Sequence, residues 1–295
     1  MTDYLLSVAI LLALYVTLSV SLNLLAGYSG LISLAQATLF GIGAYASAIL
    51  AVRFGVDLTL AFLVAVGATI VFALAVALLS VRVRDDYFVV ATFGFQAVVV
   101  SVFTNSVRLT GGPMGIKGIP KPTLLGWDAS SNWALLLLAC ILAVASIAVE
   151  WRMGRSAFGR AMRACRDDEV FAQSLGKNVG RTRVVAFVIA ACMAAMAGSL
   201  YAYYVTFIDP ASFTLTEAIL ILAMVIIGGA GSIWGPVLGA GLLVALPEAL
   251  RAFGLPTLAA GNLRQIVYGV LLVLFVAFRP EGILGAEAGL KKGDR

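Results

Sequence analysis

The chain has 295 residues, 62% of them hydrophobic and 12% charged, with a mean hydropathy of +1.04. A soluble domain carries about 25% charged residues, so this chain lacks the polar surface to cover a water-facing globule, and its solvent is lipid. The net charge of +5 sits in a few short inter-helix segments rather than in a nucleic-acid footprint, and the absence of histidine excludes HExxH zinc chemistry and the usual base of a serine hydrolase.

Apolar runs near twenty residues recur from Leu5 to Phe278, each long enough to cross a hydrocarbon core of about 30 Å as helix. The alternating segments of a membrane β-barrel are absent. The chain therefore reads as all-α, a polytopic transmembrane bundle of about eight to ten segments with some short or broken, plus one cytoplasmic helix. Met1-Thr2-Asp3-Tyr4 offers no basic n-region and no convincing cleavage site follows, so the first run is expected to be a retained span. The predicted segments are 5–26, 31–51, 58–80, 87–107, 133–150, 183–207, 216–230, 234–250 and 263–278.

Between the fourth and fifth segments, Leu109 to Pro122 holds four glycines and three prolines, which demand turns and block regular helix. It is either a plain connector or a structured lip over a pore entrance, where a delivery protein docks. The segments 216–230 and 234–250 flank Gly228-Gly229-Ala230-Gly231-Ser232. They are two short spans, or half-helices folding back from mid-membrane, where protein or a water-filled cavity must satisfy the broken backbone. Gly27-Tyr28-Ser29-Gly30 is a weak echo of that break, of the kind internal repeats leave in transporters.

Orientation follows from the basic residues. The loop 151–183 carries Arg152, Arg155, Arg160, Arg163, Arg166, Lys177, Arg181 and Arg183, and this concentration is expected in the cytoplasm. With nine segments, Arg82, Arg84, Arg279 and the tail 286–295 fall on the same side, and the N-terminus falls outside. The 108–132 loop lands outside despite Arg108, Lys117 and Lys121. Cys140, Cys165 and Cys192 have no metal-ligand spacing, and their odd number argues against a disulfide framework.

The loop 151–183 is the most informative stretch. Ser156 can cap a helix starting at Ala157, on which Arg160, Arg163 and Arg166 repeat at intervals of three along one side. Met162, Cys165 and Ala172 form a less polar flank, Asp167, Asp168 and Glu169 follow the arginines, and Gly176 can end the helix. Each central arginine costs about 2.5–3.5 kcal/mol in a bilayer, so this helix does not cross one. It either lies on anionic lipid or docks into a partner protein, and three consecutive acids favour the partner. Within the spans, Asn23, Gln36, Gln96 and Glu217 are expected to line a substrate path or to tie helices together. Gly41 and Gly43, and the Gly235/Gly239 pair, are expected to let helices pack closely. No catalytic or metal-ligating constellation is present in the sequence.

The chain resembles the LivM-type permeases of branched-chain amino acid ABC importers and their relatives for urea, short amides and aromatic acids. The matching stretches are Ser21–Gln36, Phe40–Tyr45, Asp86–Phe88, Thr92–Phe95, Leu109–Ile116, Gly159–Glu169 with Gly176–Asn178, Asp209–Phe213, Ile227–Ser232, Gly235–Gly239 and Arg279–Gly285. Together they cover about residues 20 to 285 and are specific as a set. A neutral amide, Gln96, stands near where the family often carries a glutamate.

The resemblance implies one transmembrane permease domain over 1–285, with the coupling loop 151–183 inside it and a cytoplasmic tail 286–295. It implies residence in a bacterial inner membrane, a second homologous permease of the LivH type, two cytoplasmic ATPases and a periplasmic binding protein. ATP and Mg would belong to the ATPases, since Gly176-Lys177 is followed by Asn178 and forms no phosphate-binding loop. In the family the segment 155–178 looks like the element that engages the ATPase, which gives that role to Arg160, Arg163, Arg166, Asp167, Asp168, Glu169, Ala172 and Gly176. An ion-gradient-driven transporter is the alternative, but it wants buried carboxylates, and the segments hold almost none besides Glu217. An intramembrane enzyme lacks both a lysine within a span and paired aspartates.

Overall fold

The computed structural model describes residues 2–83, 85–124, 127–128, 131–252, 257–279 and 282–284. Among the described residues, nine helices of 14 or more residues occupy the nine predicted segments: α1 (Thr2–Asn23), α2 (Gln36–Phe54), α3 (Leu58–Arg82), α4 (Asp85–Asn105), α6 (Asn132–Arg155), α9 (Val179–Val205), α10 (Leu215–Gly228), α11 (Gly235–Ala252) and α12 (Thr257–Phe278). Three shorter ones, α5 (Val107–Thr110), α7 (Ala157–Asp167) and α8 (Glu169–Ser174), lie in the connections. Seven of the described helices are long and apolar enough to cross a membrane, and Gly235–Glu248 is a shorter apolar helix. The tail 286–295 and Arg84 lie outside the described residues.

Burial separates the core from the lipid-facing shell. Two-thirds of the apolar window in α2 is buried, and 61% of those in α1 and α9, against 28% in α3, α4 and α6. The centre is a close crossing of α2 on α9. A Cβ at Gly43 would fall on the backbone of Ala195, and one at Gly198 on the backbone of Phe40. Gly41 leaves room for the Phe213 ring. These glycines allow backbone-to-backbone packing, which drives helix association where lipid offers no hydrophobic contrast.

The short pair α10 and α11 forms an antiparallel hairpin, its tip at Gly229–Trp234. At about 1.5 Å per residue, the 14 residues of α10 fall short of a full crossing, and the 3-10 turn Pro210–Phe213 lengthens the apolar run to 19 residues. Gly239 sits where a Cβ would strike the Met224 carbonyl oxygen, and Gly235 where it would strike the Gly229 carbonyl. Gly239→Leu is therefore expected to force α10 and α11 apart. A loss of about 1–3 kcal/mol or more should appear as a lower melting temperature in detergent and as little folded protein in the membrane.

Pro247 lies inside α11 and cannot donate to Leu243. The vacated Leu243 carbonyl accepts the Tyr268 hydroxyl of α12 at 2.9 Å. Residues Gly282–Leu284 then return to the hairpin, the amides of Ile283 and Leu284 donating to the carbonyls of Ile227 and Gly228 at 2.9 and 3.0 Å.

At the opposite end, the glycine- and proline-rich loop is a built structure rather than a plain connector. After a 3-10 turn at Gly112–Met114, strand β1 (Ile116–Lys117) pairs antiparallel with β4 (Phe207–Ile208), Ile116 opposite Ile208. Gly115 is pressed so closely on the Ile208 carbonyl that no Cβ fits. A second ribbon joins β2 (Thr123–Leu124) to β3 (Trp127–Asp128). Arg53 at the end of α2 donates to the carbonyls of Arg108 and Leu109 and ties that helix to this loop.

Candidate functional site

Two breaks in the helices meet at one place. After Asn23, α1 continues as a π-helical turn, Leu24–Ser29, which Gly30 ends in the left-handed region at φ 72°. The tip of the α10–α11 hairpin packs directly on it, leaving no room for a Cβ between Gly27 and the Gly231 backbone. The weak glycine echo in the sequence thus marks two segments in contact.

Asn23 binds the junction together. It is fully buried. Its carboxamide oxygen accepts the Gly231 amide at 2.8 Å, and its nitrogen donates to the Ser232 carbonyl at 2.9 Å and to Glu150 Oε1. Glu150 comes from the last turns of α6 and is also fully buried, its second oxygen unpaired among the described residues. Sequence reasoning missed Glu150 because it precedes a run of arginines and reads as a residue at the water interface.

The loop 151–183 closes over this junction. Ser156 caps α7 by accepting the Gly159 amide at 3.2 Å, as its sequence indicates. Met162 and Cys165 are buried, and burial pushes the Cys165 thiol above the ordinary range, so it is a poor reporter of which side the loop faces. Arg166 donates through Nη1 to the Gly27 carbonyl in the π turn, and its aliphatic stem lies against Gly30. Arg163 donates to the Gly154 carbonyl at 2.9 Å, its guanidinium 5.6 Å from the centre of the Tyr28 ring. Two of the three arginines therefore hold α7 to the membrane bundle. Arg160 stays exposed and, among the described residues, donates to the Arg155 carbonyl alone.

The helix expected over 157–175 is two helices. Asp168 is extended, and its side chain accepts the Phe171 amide at 2.9 Å, capping α8 instead of continuing α7. A local side-chain acceptor competes with the helix ladder in this way. The other acids are also engaged. Asp167 pairs with Arg166 at 3.3 Å, and Glu169 with buried Arg183 at 3.1 Å. Arg183 in turn donates to Ser80 on α3 at 3.2 Å, tying α8, α9 and α3 together. Gly176 ends α8 at φ 76°, and Ala172 is buried. Beside exposed Glu169, Gln173 and Ser174, α8 and the residue that ends it expose three apolar side chains: Val170 at 78%, with Phe171 and Leu175 each at 61%. The sequence reading passed over these three because they sit in a short segment between the acidic turn and Gly176.

The remaining pathway candidates lie elsewhere. Gln36 is buried and donates to Ser21 and to the Ala190 carbonyl, linking α1, α2 and α9. Gln96 on α4 is 2% exposed, with neither amide atom paired among the described residues. Glu217 accepts the Tyr15 hydroxyl at 2.5 Å and borders a cavity of about 390 Å³ at the end of the bundle away from α7 and α8. No group of three or more metal-ligating side chains occurs among the described residues.

The comparisons with known proteins agree with this architecture. The family described as "Branched-chain amino acid transport system / permease component" matches residues 4–276. The high-affinity branched-chain amino acid transport system permease protein LivM of Salmonella typhimurium is 36% identical over 94% of this chain and 69% of its own length, and that of Escherichia coli K12 matches equally. The LivH permease of the Salmonella system is 29% identical over 92% of this chain and 91% of its own length. No solved structure matches.

Proposed function

Since the chain belongs to the branched-chain amino acid transport permease family, we propose that it is one of two homologous permease subunits lining the pathway of an ATP-driven importer. The chain is a multi-pass membrane protein and a transport component rather than a catalyst. Its similarity to both LivM and LivH supports a second, LivH-like permease as its partner. In this reading two cytoplasmic ATPases hold ATP and Mg, and a periplasmic binding protein delivers the solute. The solute is a branched-chain amino acid or a related small polar molecule. The basic loop supports a cytoplasmic position for α7, α8 and the tail, and an outside N-terminus.

The observation that carries the mechanism is the bond from Arg166 to the Gly27 carbonyl. It fastens a helix outside the membrane bundle to the π turn, and Asn23 fastens that turn to the hairpin tip. An ATPase gripping α8 by Val170, Phe171 and Leu175 would move α7, and the motion would reach both helix breaks as one rigid-body change. Exposed apolar residues rimmed by charge suit a protein interface.

Phe171→Asp tests the docking surface. Co-expressed ATPase subunits are expected to co-purify with this permease at least about tenfold less well, since burying a charge in an apolar contact is costly. The permease itself should keep its melting temperature, because Phe171 is exposed. Unaltered co-purification would reject α8 as the grip.

A further inference from the structure

Along the seam between α2 and α4, buried polar atoms stand without partners among the described residues. The two helices are pinned to each other at two levels. At the end near the π turn, the Leu34 amide donates to Thr92 Oγ1 at 3.2 Å. Further along, the Tyr45 and Phe103 rings lie 4.3 Å apart between centroids. Both pairs are 58 positions apart in the chain, so the same register sets Gln96 level with Thr38. Thr92, Gln96 and Phe103 share one face of α4, at intervals of four and seven, and Thr38 and Tyr45 share one face of α2. Thr38 is fully buried, and Tyr45 and Gln96 are each 2% exposed. Yet Thr38 Oγ1, Tyr45 Oη and both amide atoms of Gln96 make no hydrogen bond among the described residues. The other face of α4, with Val90 and Val98, is apolar and exposed. Polar side chains within a span sit where a partner, a cavity or water meets them. A closed helix pair gains nothing from a stranded carboxamide, and an apolar side chain of the same size would pack there better.

We propose that the α2–α4 seam is a wall of the solute path that parts during the transport cycle, and that Gln96 meets the passing polar solute and its water. Parting wets the carboxamide and the hydroxyls of Thr38 and Tyr45, and closing dries them again. A carboxamide donates and accepts without carrying charge, so it can hand on a polar solute without trapping it. Leu34 lies in the short link from the π turn to α2. A shift of the π turn therefore reaches α4 through the bond from Leu34 to Thr92. The inference rests on the permease reading above and locates its moving wall.

The test uses the assembled complex of both permeases, the ATPases and the binding protein in proteoliposomes, with Cys140→Ala, Cys165→Ala and Cys192→Ala in this chain. The probe is a cationic, membrane-impermeant methanethiosulfonate applied to Gln96→Cys. Labelling is expected to be at least about tenfold faster in one of two states, nucleotide-free or trapped with ATP and vanadate. Val98→Cys, on the outer face of α4, should stay unlabelled in both. Gln96→Cys labelled in neither state, or no faster than Val98→Cys, would overturn the proposal. Gln96→Leu supplies a second readout that a merely structural role would not give. Its melting temperature should hold or rise, because the stranded amide is gone, while L-leucine uptake falls at least about fivefold. Gln96→Asn should recover part of that uptake. A melting temperature that falls together with uptake would make Gln96 a tie between helices and overturn the proposal, as would unchanged uptake. State-dependent labelling in a complex that takes up neither L-leucine nor urea would keep the moving seam and overturn the permease reading instead.

Discussion

Asn23→Leu is expected to abolish solute uptake and to lower the melting temperature of the purified permease substantially. The leucine fills a similar volume but cannot donate or accept. It strands Glu150 Oε1 in a fully buried place and the Gly231 amide and Ser232 carbonyl in a half-buried one. Each stranded group costs about 1–3 kcal/mol, a large share of a marginal folding free energy of about 5–15 kcal/mol. Asn23→Asp should be no milder, because it sets a second carboxyl against Glu150. The informative companion is the double variant Asn23→Leu with Glu150→Leu. Removing both partners of a buried polar pair is far less harmful than removing one, so part of the stability should return. Uptake should not, because the hairpin tip has still lost its tie to α1. A double variant no more stable than Asn23→Leu alone would show that the two residues do not act as a pair.

The sequence revealed the frame of this molecule better than its joints. Nine segments were legible because an apolar run of about twenty residues has one stable solution in lipid. The Ser156 cap, the Gly176 stop and the buried flank of Met162 and Cys165 were legible because they depend on neighbours within one or two turns. The joints depend on distant partners. Asn23 meets Gly231 from 208 positions away, and Glu217 meets Tyr15 from 202, and nothing local announces either meeting. Asp167, Asp168 and Glu169 looked like an acidic turn offered to a partner protein. They are a partner for Arg166, a helix cap and a partner for Arg183. Arg163 and Arg166 looked like one basic face with Arg160 but turn inward, because Gly154, Gly27 and Gly30 leave carbonyls and space for them.

That inward turn makes Arg166 the residue on which coupling depends. Its hydrogen bond to the Gly27 carbonyl ties α7 directly to the π turn. Arg166→Ala leaves Arg163, the Ser156 cap and the buried face of α7 in place. The helix should therefore stay folded and the docking surface of α8 intact. One charge-assisted bond contributes about 1.5–3 kcal/mol, enough to change the balance between two pathway states by roughly ten- to a hundredfold. Arg166→Lys should fall between wild type and alanine, since an ammonium reaches a carbonyl but lacks the fork and the flat stem contact.

The deciding measurement is the number of solute molecules taken up per ATP hydrolysed by the reconstituted complex carrying Arg166→Ala. ATP hydrolysis is expected to continue near its wild-type rate while the uptake ratio falls at least about tenfold. An unchanged ratio would mean that α7 does not work the paired helix breaks.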